Sequence, residues 1–332
     1  MRYDYNNIVG HENVIEYFKR TIISQNISHS YLLEGNEGVG KKLLAKTFIK
    51  TLFCETEGRV SPCNQCTSCI MMETGNNPDF FQVSSKKVSI GVDDIREQVV
   101  EQMDIKPYRS KYKIFLIAEA ERMTVQAQNA LLKTIEEPPS YGIVILLTKN
   151  PAKIISTVHS RCSRIRVLPL SSKIIEQYIQ NNYELEKWEA ALYADFSGGS
   201  IGRAEEMLED EEFWQLRQKS IDYLIKLEDA NLIELYDIVD AIDKDRDNIP
   251  QILDFWLIWY RDILMYKMFN DDRYIFFKDF QDMILDRSKE LSYNRISNNF
   301  NEIIAAKNRL DKNINIMLII ETLLLEIKER KK

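Results

Sequence analysis

The stretch GNEGVGKK, residues 35–42, constrains the fold more than any other part of this sequence. It has the spacing G-x-x-x-x-G-K, follows the apolar run 31–33 and precedes the helical pattern 43–53. A strand, a glycine-rich turn and a helix N-terminus in this order bind phosphate groups through backbone N–H donors and the lysine ammonium. A glycine-rich turn without a ligand is the alternative. The candidate nucleotide-binding residues in this loop are Gly35, Gly38, Gly40 and Lys41.

Two positions argue that a nucleotide in this loop would not be hydrolysed. Lys42 stands where such loops carry a Ser or Thr hydroxyl for Mg²⁺, and a second cation there opposes metal binding. The apolar run that ends LIAEAERM places Ala118 where hydrolysing proteins carry a metal-binding Asp. Glu119 and Glu121 follow, and Glu119 is the candidate nucleotide-site carboxylate, with a solvated strand-end charge as the alternative. We therefore predict a loop that keeps its shape while hydrolysis is lost.

Four of the five cysteines share one short segment with the spacing C-x8-C-x2-C-x2-C. This pattern is typical of tetrahedral Zn²⁺, and a set of four thiolates leaves no position for a catalytic water. The sequence therefore predicts a structural zinc site, with free buried cysteines as the alternative. The residues between the last three cysteines carry no basic side chain, which disfavours nucleic-acid binding by this segment alone. The predicted zinc ligands are Cys54, Cys63, Cys66 and Cys69.

The apolar pattern changes at Pro169. Before it, short apolar runs alternate with amphipathic stretches, which predicts buried parallel strands in an α/β layer. After it, nearly every segment has helical periodicity, with a break before Pro250, and the last helix carries an apolar stripe over residues 316–327. That stripe is expected to pack within the chain or against a partner. The predicted strands lie at residues 31–33, 114–117, 143–147 and 165–168.

The charge balance and hydropathy disfavour independent nucleic-acid binding and a membrane-spanning chain. With 51 acidic and 44 basic residues the net charge is −7, so no overall positive field draws the chain to nucleic acid. The most apolar long stretch, residues 252–268, is interrupted by charged residues and falls short of the ~20 apolar residues of a membrane span. We therefore expect a soluble cytoplasmic protein without a membrane partner.

Three stretches together resemble the bacterial clamp-loader subunits of the AAA+ class. They are NALLKTIEEPP at residues 129–139, HSRC at residues 159–162, and the cysteine cluster that follows the loop helix. The defective loop beside an intact SRC is similar to the delta-prime-type, non-hydrolysing members of the DNA polymerase III clamp-loader family. The resemblance implies an AAA+ P-loop core with a parallel sheet and a zinc-binding insertion, a small helical lid and a helical collar domain. The implied boundaries are 1–168, 169–208 and 209–332.

The same resemblance implies a role for two arginines. In this family the SRC arginine, here Arg161, projects into the ATP site of an adjacent motor subunit, as an arginine finger does. The segment SGGSIGRAEEML, residues 197–208, is similar to the sensor 2 segment, which places Arg203 near a bound nucleotide; Lys149 falls in the sensor 1 neighbourhood. From the residues alone, Arg161 could equally be a surface ion-pair partner and Arg203 an exposed helix residue.

The partners implied by the resemblance are gamma/tau-like motor subunits and a delta subunit, with a sliding clamp and primed DNA reached through the whole complex. Two alternatives stay open at this point. One is an ATP-hydrolysing gamma/tau-like motor subunit that uses Glu119, which Lys42 and Ala118 disfavour. The other is a zinc-organised nucleic-acid-binding module, and the sequence also leaves open whether ATP binds without hydrolysis.

Overall fold

The computed structural model describes residues 3–56, 58–85, 88–310 and 315–329. Within it the chain divides into two compact units, each built from two segments of the sequence. The first unit comprises Met1–Glu184 and Tyr193–Glu205, and the second comprises Leu185–Leu192 and Glu206–Lys332. The three-part division into core, lid and collar stays a prediction.

The first unit is built around a parallel sheet in which the strands have the order β2-β3-β4-β1-β5. The first strand therefore lies between β4 and β5, and the chain leaves it directly into the glycine-rich loop. In parallel α/β sheets, ligands bind outside the carboxyl ends of the strands. The strands are β1 (Ser30–Glu34), β2 (Phe80–Val83), β3 (Lys113–Ile117), β4 (Gly142–Thr148) and β5 (Ser163–Arg166).

Four of these strands coincide with the predicted apolar runs, whereas β2 was not predicted. The sequence FFQV of β2 is only four residues long, and three of the four are partly or fully exposed at the edge of the sheet. A short, half-exposed edge strand gives neither the continuous apolar run of a buried strand nor a clear alternation.

Helices cover both faces of the sheet, so successive residues of the central strands are buried on opposite sides. Along β4, Ile143 and Ile145 pack with Phe18 and Phe48 on one face, while Val144 packs with the helices of the other. Such two-sided burial explains why these strands read as unbroken apolar runs. The helices up to residue 209 are α1 (Glu12–Ile23), α2 (Lys41–Phe53), α3 (Thr67–Thr74), α4 (Val92–Ile95), α5 (Glu101–Met103), α6 (Val125–Glu136), α7 (Ser156–His159), α8 (Ser172–Asn182), α9 (Lys187–Phe196) and α10 (Ile201–Glu209), with a π-helical segment at Arg96–Val100.

The second unit is helical throughout its described residues. Pro250 lies in the first turn of α13, as expected from its fixed φ and missing N–H. The apolar stripe of α16 is buried within the chain at Ile319, Ile320, Leu323, Leu324 and Ile327, so it forms part of this unit's own core. The helices are α11 (Glu211–Asp229), α12 (Leu232–Lys244), α13 (Ile249–Phe269), α14 (Gln281–Glu290), α15 (Tyr293–Leu310) and α16 (Ile316–Glu329).

The predicted fold class, an α/β core with a parallel sheet followed by a helical C-terminal part, is confirmed. Among the described helices, not one combines the length and the apolar character that crossing a membrane requires.

Candidate functional site

The glycine-rich loop connects the end of β1 to the first residue of α2. Gly40 caps the helix with φ +95°, and Gly38 has φ +71°, conformations that glycine adopts without strain. The Lys41 ammonium donates hydrogen bonds to the carbonyl oxygens of Gly35 at 2.6 Å and Asn36 at 2.5 Å. Burial lowers the pKa of Lys41. The loop thus has the strand-turn-helix form of a phosphate site, with its lysine engaged by the loop's own backbone.

The start of α10 lies directly against this loop. A Cβ atom placed on Gly38 would be 2.2 Å from the hydroxyl oxygen of Ser200 and 3.3 Å from the backbone nitrogen of Arg203. The backbone also comes close at Gly202, where a Cβ would be 3.3 Å from the carbonyl oxygen of Gly38. The structure therefore brings Arg203 beside the loop, as the sensor 2 assignment predicts, and its side chain is exposed.

The acidic residues near the loop are arranged differently from a metal site. Ala118 follows β3 without a carboxylate, and Glu119 forms an ion pair with Arg122. One carboxylate oxygen of Glu121 is buried without a hydrogen-bond partner in the described part of the chain, and its charge acts to raise the pKa of Lys41 against the larger effect of burial. Glu121 is therefore one of two acids, with Glu37, whose charge acts on the loop lysine.

Within the loop, Glu37 forms an ion pair with Lys149, the residue that follows β4, at 2.5 Å. The Lys149 ammonium lowers the pKa of Glu37, and the Glu37 carboxylate raises the pKa of Lys149. The sequence alone did not predict this pair. The signal for it was an acid inside a loop that should bind anions, because such an acid opposes phosphate binding unless a cation compensates its charge.

The SRC arginine lies at the amino ends of β1 and β5, whereas the glycine-rich loop follows the carboxyl end of β1. Arg161 Nε forms an ion pair with Glu136 at the end of α6, and its Nη1 donates to the carbonyl oxygen of Thr157 at 3.0 Å. Its backbone carbonyl accepts a hydrogen bond of 2.6 Å from the hydroxyl of Ser30. The side chain is 37% exposed, so the guanidinium is held by the chain and still open to solvent.

The strand register separates Arg161 from the glycine-rich loop of its own chain. In the parallel pair β1 and β5, Tyr31 is opposite Ser163 and Glu34 is opposite Arg166. Gly35 therefore lies next to residue Val167, whose carbonyl oxygen would be 2.3 Å from a Cβ on that glycine. The four residue steps from Ser163 to Val167 correspond to ~13 Å along a strand, and Arg161 lies further back.

The buried carboxylate of Glu34, at the end of β1, stabilises the neighbouring edge strand β5. Glu34 accepts two hydrogen bonds from the guanidinium of Arg164, at 2.9 and 3.1 Å. Arg166 Nε lies 3.8 Å and His159 Nδ1 lies 3.5 Å from the same carboxylate. The alternating arginines of β5 were a signal for this cluster, because i and i+2 residues of a strand share one face.

The cysteine cluster follows α2 and continues into α3, for which Cys66 is the N-cap. The four Sγ atoms lie within 4.8 Å of one another, and those of Cys63 and Cys69 are 3.9 Å apart. Tetrahedral Zn²⁺ with bonds of ~2.3 Å requires sulfur atoms about 3.8 Å apart. The cluster therefore fits a tetrahedral metal ion. The ligands predicted from the sequence come together as one group: Cys54, Cys63, Cys66 and Cys69.

Hydrogen bonds to sulfur favour the thiolate form in part of this cluster. The side chain of Thr56 and the backbone N–H groups of Gln65 and Cys66 lower the pKa of Cys63 to about 5. Burial raises the pKa of Cys69. Metal binding requires thiolates, and backbone N–H groups that point at sulfur stabilise them.

A buried lysine connects the cysteine segment to the loop helix. Lys50 on α2 is fully buried, and its ammonium donates to the side-chain oxygen of Asn64 at 2.6 Å and pairs with Glu73 of α3. Asn64, between two of the cysteines, in turn donates to Asp4. A buried charge needs such partners, so this network fixes the position of the cysteine segment on α2.

Comparison with known proteins gives a consistent result over the whole chain. The family model for the DNA polymerase III delta subunit matches residues 10–171, and the model for the C terminal part of the delta subunit matches residues 211–329. The chain is 30% identical to DNA polymerase III subunit delta' of Bacillus subtilis over 319 residues, which is 95% of each protein.

Two further similarities are to proteins described as a tau subunit and as related to a gamma subunit. The chain is 29% identical to the tau subunit of Bacillus subtilis over 79% of its own length and 50% of that protein. A gamma-subunit-related protein from Thermotoga maritima has a solved structure that covers 96% of this chain and 99% of its own, with a TM-score of 0.42 and 19% identity. The chain belongs to the DNA polymerase III delta-subunit family and is similar to a delta' subunit over nearly its whole length.

Proposed function

We propose that this chain is a non-hydrolysing subunit of the clamp loader. The first turn of α2 presents the exposed Lys42 where a metal-binding hydroxyl would be needed, and Ala118, directly after β3, has no carboxylate. Lys41 is engaged by loop carbonyls and Lys149 by Glu37, so both cations that would face the phosphates already have partners. These features support a loop retained for its shape, and ATP binding without hydrolysis is compatible with them.

The second part of the proposal is that Arg161 acts on ATP bound to an adjacent motor subunit. The observation that carries it is the separation of Arg161 from its own loop by the length of β5. An arginine at the amino ends of the strands faces away from its own loop and is placed to act on a nucleotide held by another chain. A planar, permanently charged guanidinium stabilises the charge on a transferring γ-phosphoryl group.

The test is Arg161→Ala in the complete loader, assembled with its motor and delta subunits, clamp and primed DNA. We expect assembly to be unchanged and ATP turnover to fall by a large factor, on the ~10³–10⁵ scale of arginine-finger effects for each site that depends on it. Arg161→Lys should not restore turnover, because an ammonium lacks the planar fork.

The matched control is Arg166→Ala, which removes a guanidinium that is 75% exposed on the adjoining strand. It should leave turnover near the wild-type value. Wild-type turnover in the Arg161→Ala loader, measured at saturating clamp and DNA, would contradict the proposed role.

The partners follow from the family rather than from any surface of this chain alone. We propose that it assembles with gamma/tau-like motor subunits and a delta subunit, and that it contacts the sliding clamp and primed DNA as part of that complex in the cytoplasm. The net charge of −7 supports DNA contact through the assembly rather than through this chain by itself.

We also propose that the four cysteines bind Zn²⁺. The support is the all-sulfur donor set, its near-tetrahedral sulfur spacing and the N–H groups directed at sulfur. The four ligands leave no open position, so the role is to hold the segment from α2 to α3 folded. We propose no part for this zinc site in ATP hydrolysis.

A further inference from the structure

The contact between Glu136 and Arg161 joins two of the three sequence stretches on which the family resemblance rests. Glu136 is the last residue of α6, within NALLKTIEEPP, and Arg161 is the arginine of HSRC. The Glu136 carboxylate forms an ion pair with Arg161 Nε. The carbonyl oxygen of Thr157 and the hydroxyl of Ser160 accept hydrogen bonds from Nη1 at 3.0 and 3.2 Å. The guanidinium is therefore fixed at two of its nitrogen atoms.

The position of Glu136 is electrostatically unfavourable for the helix that carries it. The C-terminus of a helix has a partial negative charge, which disfavours acidic side chains in the last turn. Here two acids, Glu136 and Glu137, end α6 in succession. Among the described residues, Arg161 is the cation that pairs with Glu136, whereas Glu137 is exposed without an ion pair.

This ion pair contributes little to the stability of the fold. Glu136 is 43% exposed and Arg161 is 37% exposed, and half-exposed ion pairs are screened by water. The backbone of Arg161 is held separately, by the Ser30 hydroxyl and by its own N–H bond to the carbonyl of Val158 at 3.1 Å. What Glu136 controls is therefore the direction of the Arg161 side chain.

We propose that Glu136 is a positioning residue for the arginine finger. It holds the guanidinium in one orientation before the neighbouring ATP site forms, so that a long side chain with many rotamers need not be ordered during catalysis. The inference rests on the proposed action of Arg161 on a neighbouring nucleotide. It adds a residue of α6, distant in sequence from HSRC, to the machinery of that reaction.

The experiment measures steady-state ATP hydrolysis by the complete loader with clamp and primed DNA. Glu136→Ala should lower kcat about 3- to 10-fold, the scale of ordering one long side chain, and leave KM for ATP unchanged. Glu136→Gln keeps an oxygen that accepts from Nε and should recover at least half of the wild-type kcat. Glu137→Ala, the matched control from the same helix end, should behave as wild type.

A double-variant cycle separates positioning from a structural effect. In an Arg161→Ala loader, Glu136→Ala should cause no further loss, because no guanidinium is left to position. An unchanged or increased kcat for Glu136→Ala, an equal loss for Glu137→Ala, or a loss that persists without Arg161 would overturn the inference. If Arg161→Ala lowers turnover and Glu136→Ala does not, only the inference fails; if Arg161→Ala has no effect, the proposed function itself fails.

Discussion

Gly38 occupies a position in the glycine-rich loop that no larger residue fits without movement of α10. Its φ is +71°, and an added Cβ would be 2.2 Å from the hydroxyl of Ser200, which is buried. The sequence motif identifies the outer glycines of such a loop, but only the fold shows that this middle glycine also faces the α10 backbone. The close approach explains why the loop shape persists although its metal ligands are missing.

Gly38→Ala should destabilise the chain by about 2–4 kcal/mol, the sum of a left-handed backbone penalty and overpacking. The control is Gly75→Ala, because Gly75 has φ +74° and nothing within 4 Å of an added Cβ. It should cost only the backbone part, about 1–2 kcal/mol. Thermal unfolding followed by circular dichroism compares the two, and equal losses would show that α10 does not constrain the loop.

Asp262 is a fully buried acid inside α13, and it accepts hydrogen bonds of 2.8 Å from the backbone N–H groups of Phe276 and Phe277. Burial raises its pKa to about 6, although these donors and Arg261 act in the opposite direction. A pKa raised above the unfolded value favours folding at low pH. That contribution is complete below about pH 4 and is lost as the pH rises through 6.

Asp262→Asn removes this titration while it keeps an oxygen for the backbone donors. The stability of wild type relative to Asp262→Asn should therefore fall by up to about 3 kcal/mol between pH 4 and pH 7. Urea unfolding followed by tryptophan fluorescence measures it, since Trp256 and Trp259 lie on the same helix. A difference that does not change with pH would contradict the assignment.

At the scale of helices and strands, the sequence best predicts those elements whose structure is determined by a single residue pattern. The central strands are buried on both faces and read as apolar runs, and the strand-turn-helix order located the start of α2 within two residues. The edge strand β2 was missed because it is short and half exposed. The grouping of the four cysteines could be predicted because metal geometry restricts the spacing of such ligands in sequence.

The contacts that the sequence did not reveal are those between distant elements. Glu37 and Lys149 are 112 residues apart, and Lys50 reaches Glu73 across 23 residues. Each of these side chains is an ordinary polar residue of its own segment, and only the packing of the strands and helices brings the partners together. The same holds for Glu136 and Arg161, which come from two separate motifs.

We predict that the segment from α2 to α3 binds Zn²⁺ through its four cysteines. The purified chain should contain about one Zn²⁺, and Cys66→Ser should lose it, because three thiolates bind zinc far more weakly than four. Cys162→Ser is the control, since Cys162 lies outside the cluster. Elemental analysis of the three proteins provides the measurement. A full zinc content in Cys66→Ser, or a loss in Cys162→Ser, would exclude the assigned ligand set.

At the scale of the whole molecule, the chain combines a strand-turn-helix loop with an exposed arginine at the other end of the same strands. The loop has Lys42 and Ala118 at the two positions where Mg²⁺ ligands would be needed, and Arg161 lies at the amino ends of β1 and β5. Membership of the delta-subunit family extends over both units, at residues 10–171 and 211–329. The account therefore predicts a subunit that supports hydrolysis elsewhere without performing it.

The most direct test is steady-state ATP hydrolysis by the purified chain alone, with Mg²⁺, in the presence and absence of primed DNA. The account predicts no turnover above background under either condition, whether or not ATP binds. Lys41→Ala serves as the control for contaminating ATPases, because it removes the loop ammonium and should leave any background unchanged. Turnover that Lys41→Ala abolishes would show that this loop hydrolyses ATP and would contradict the account.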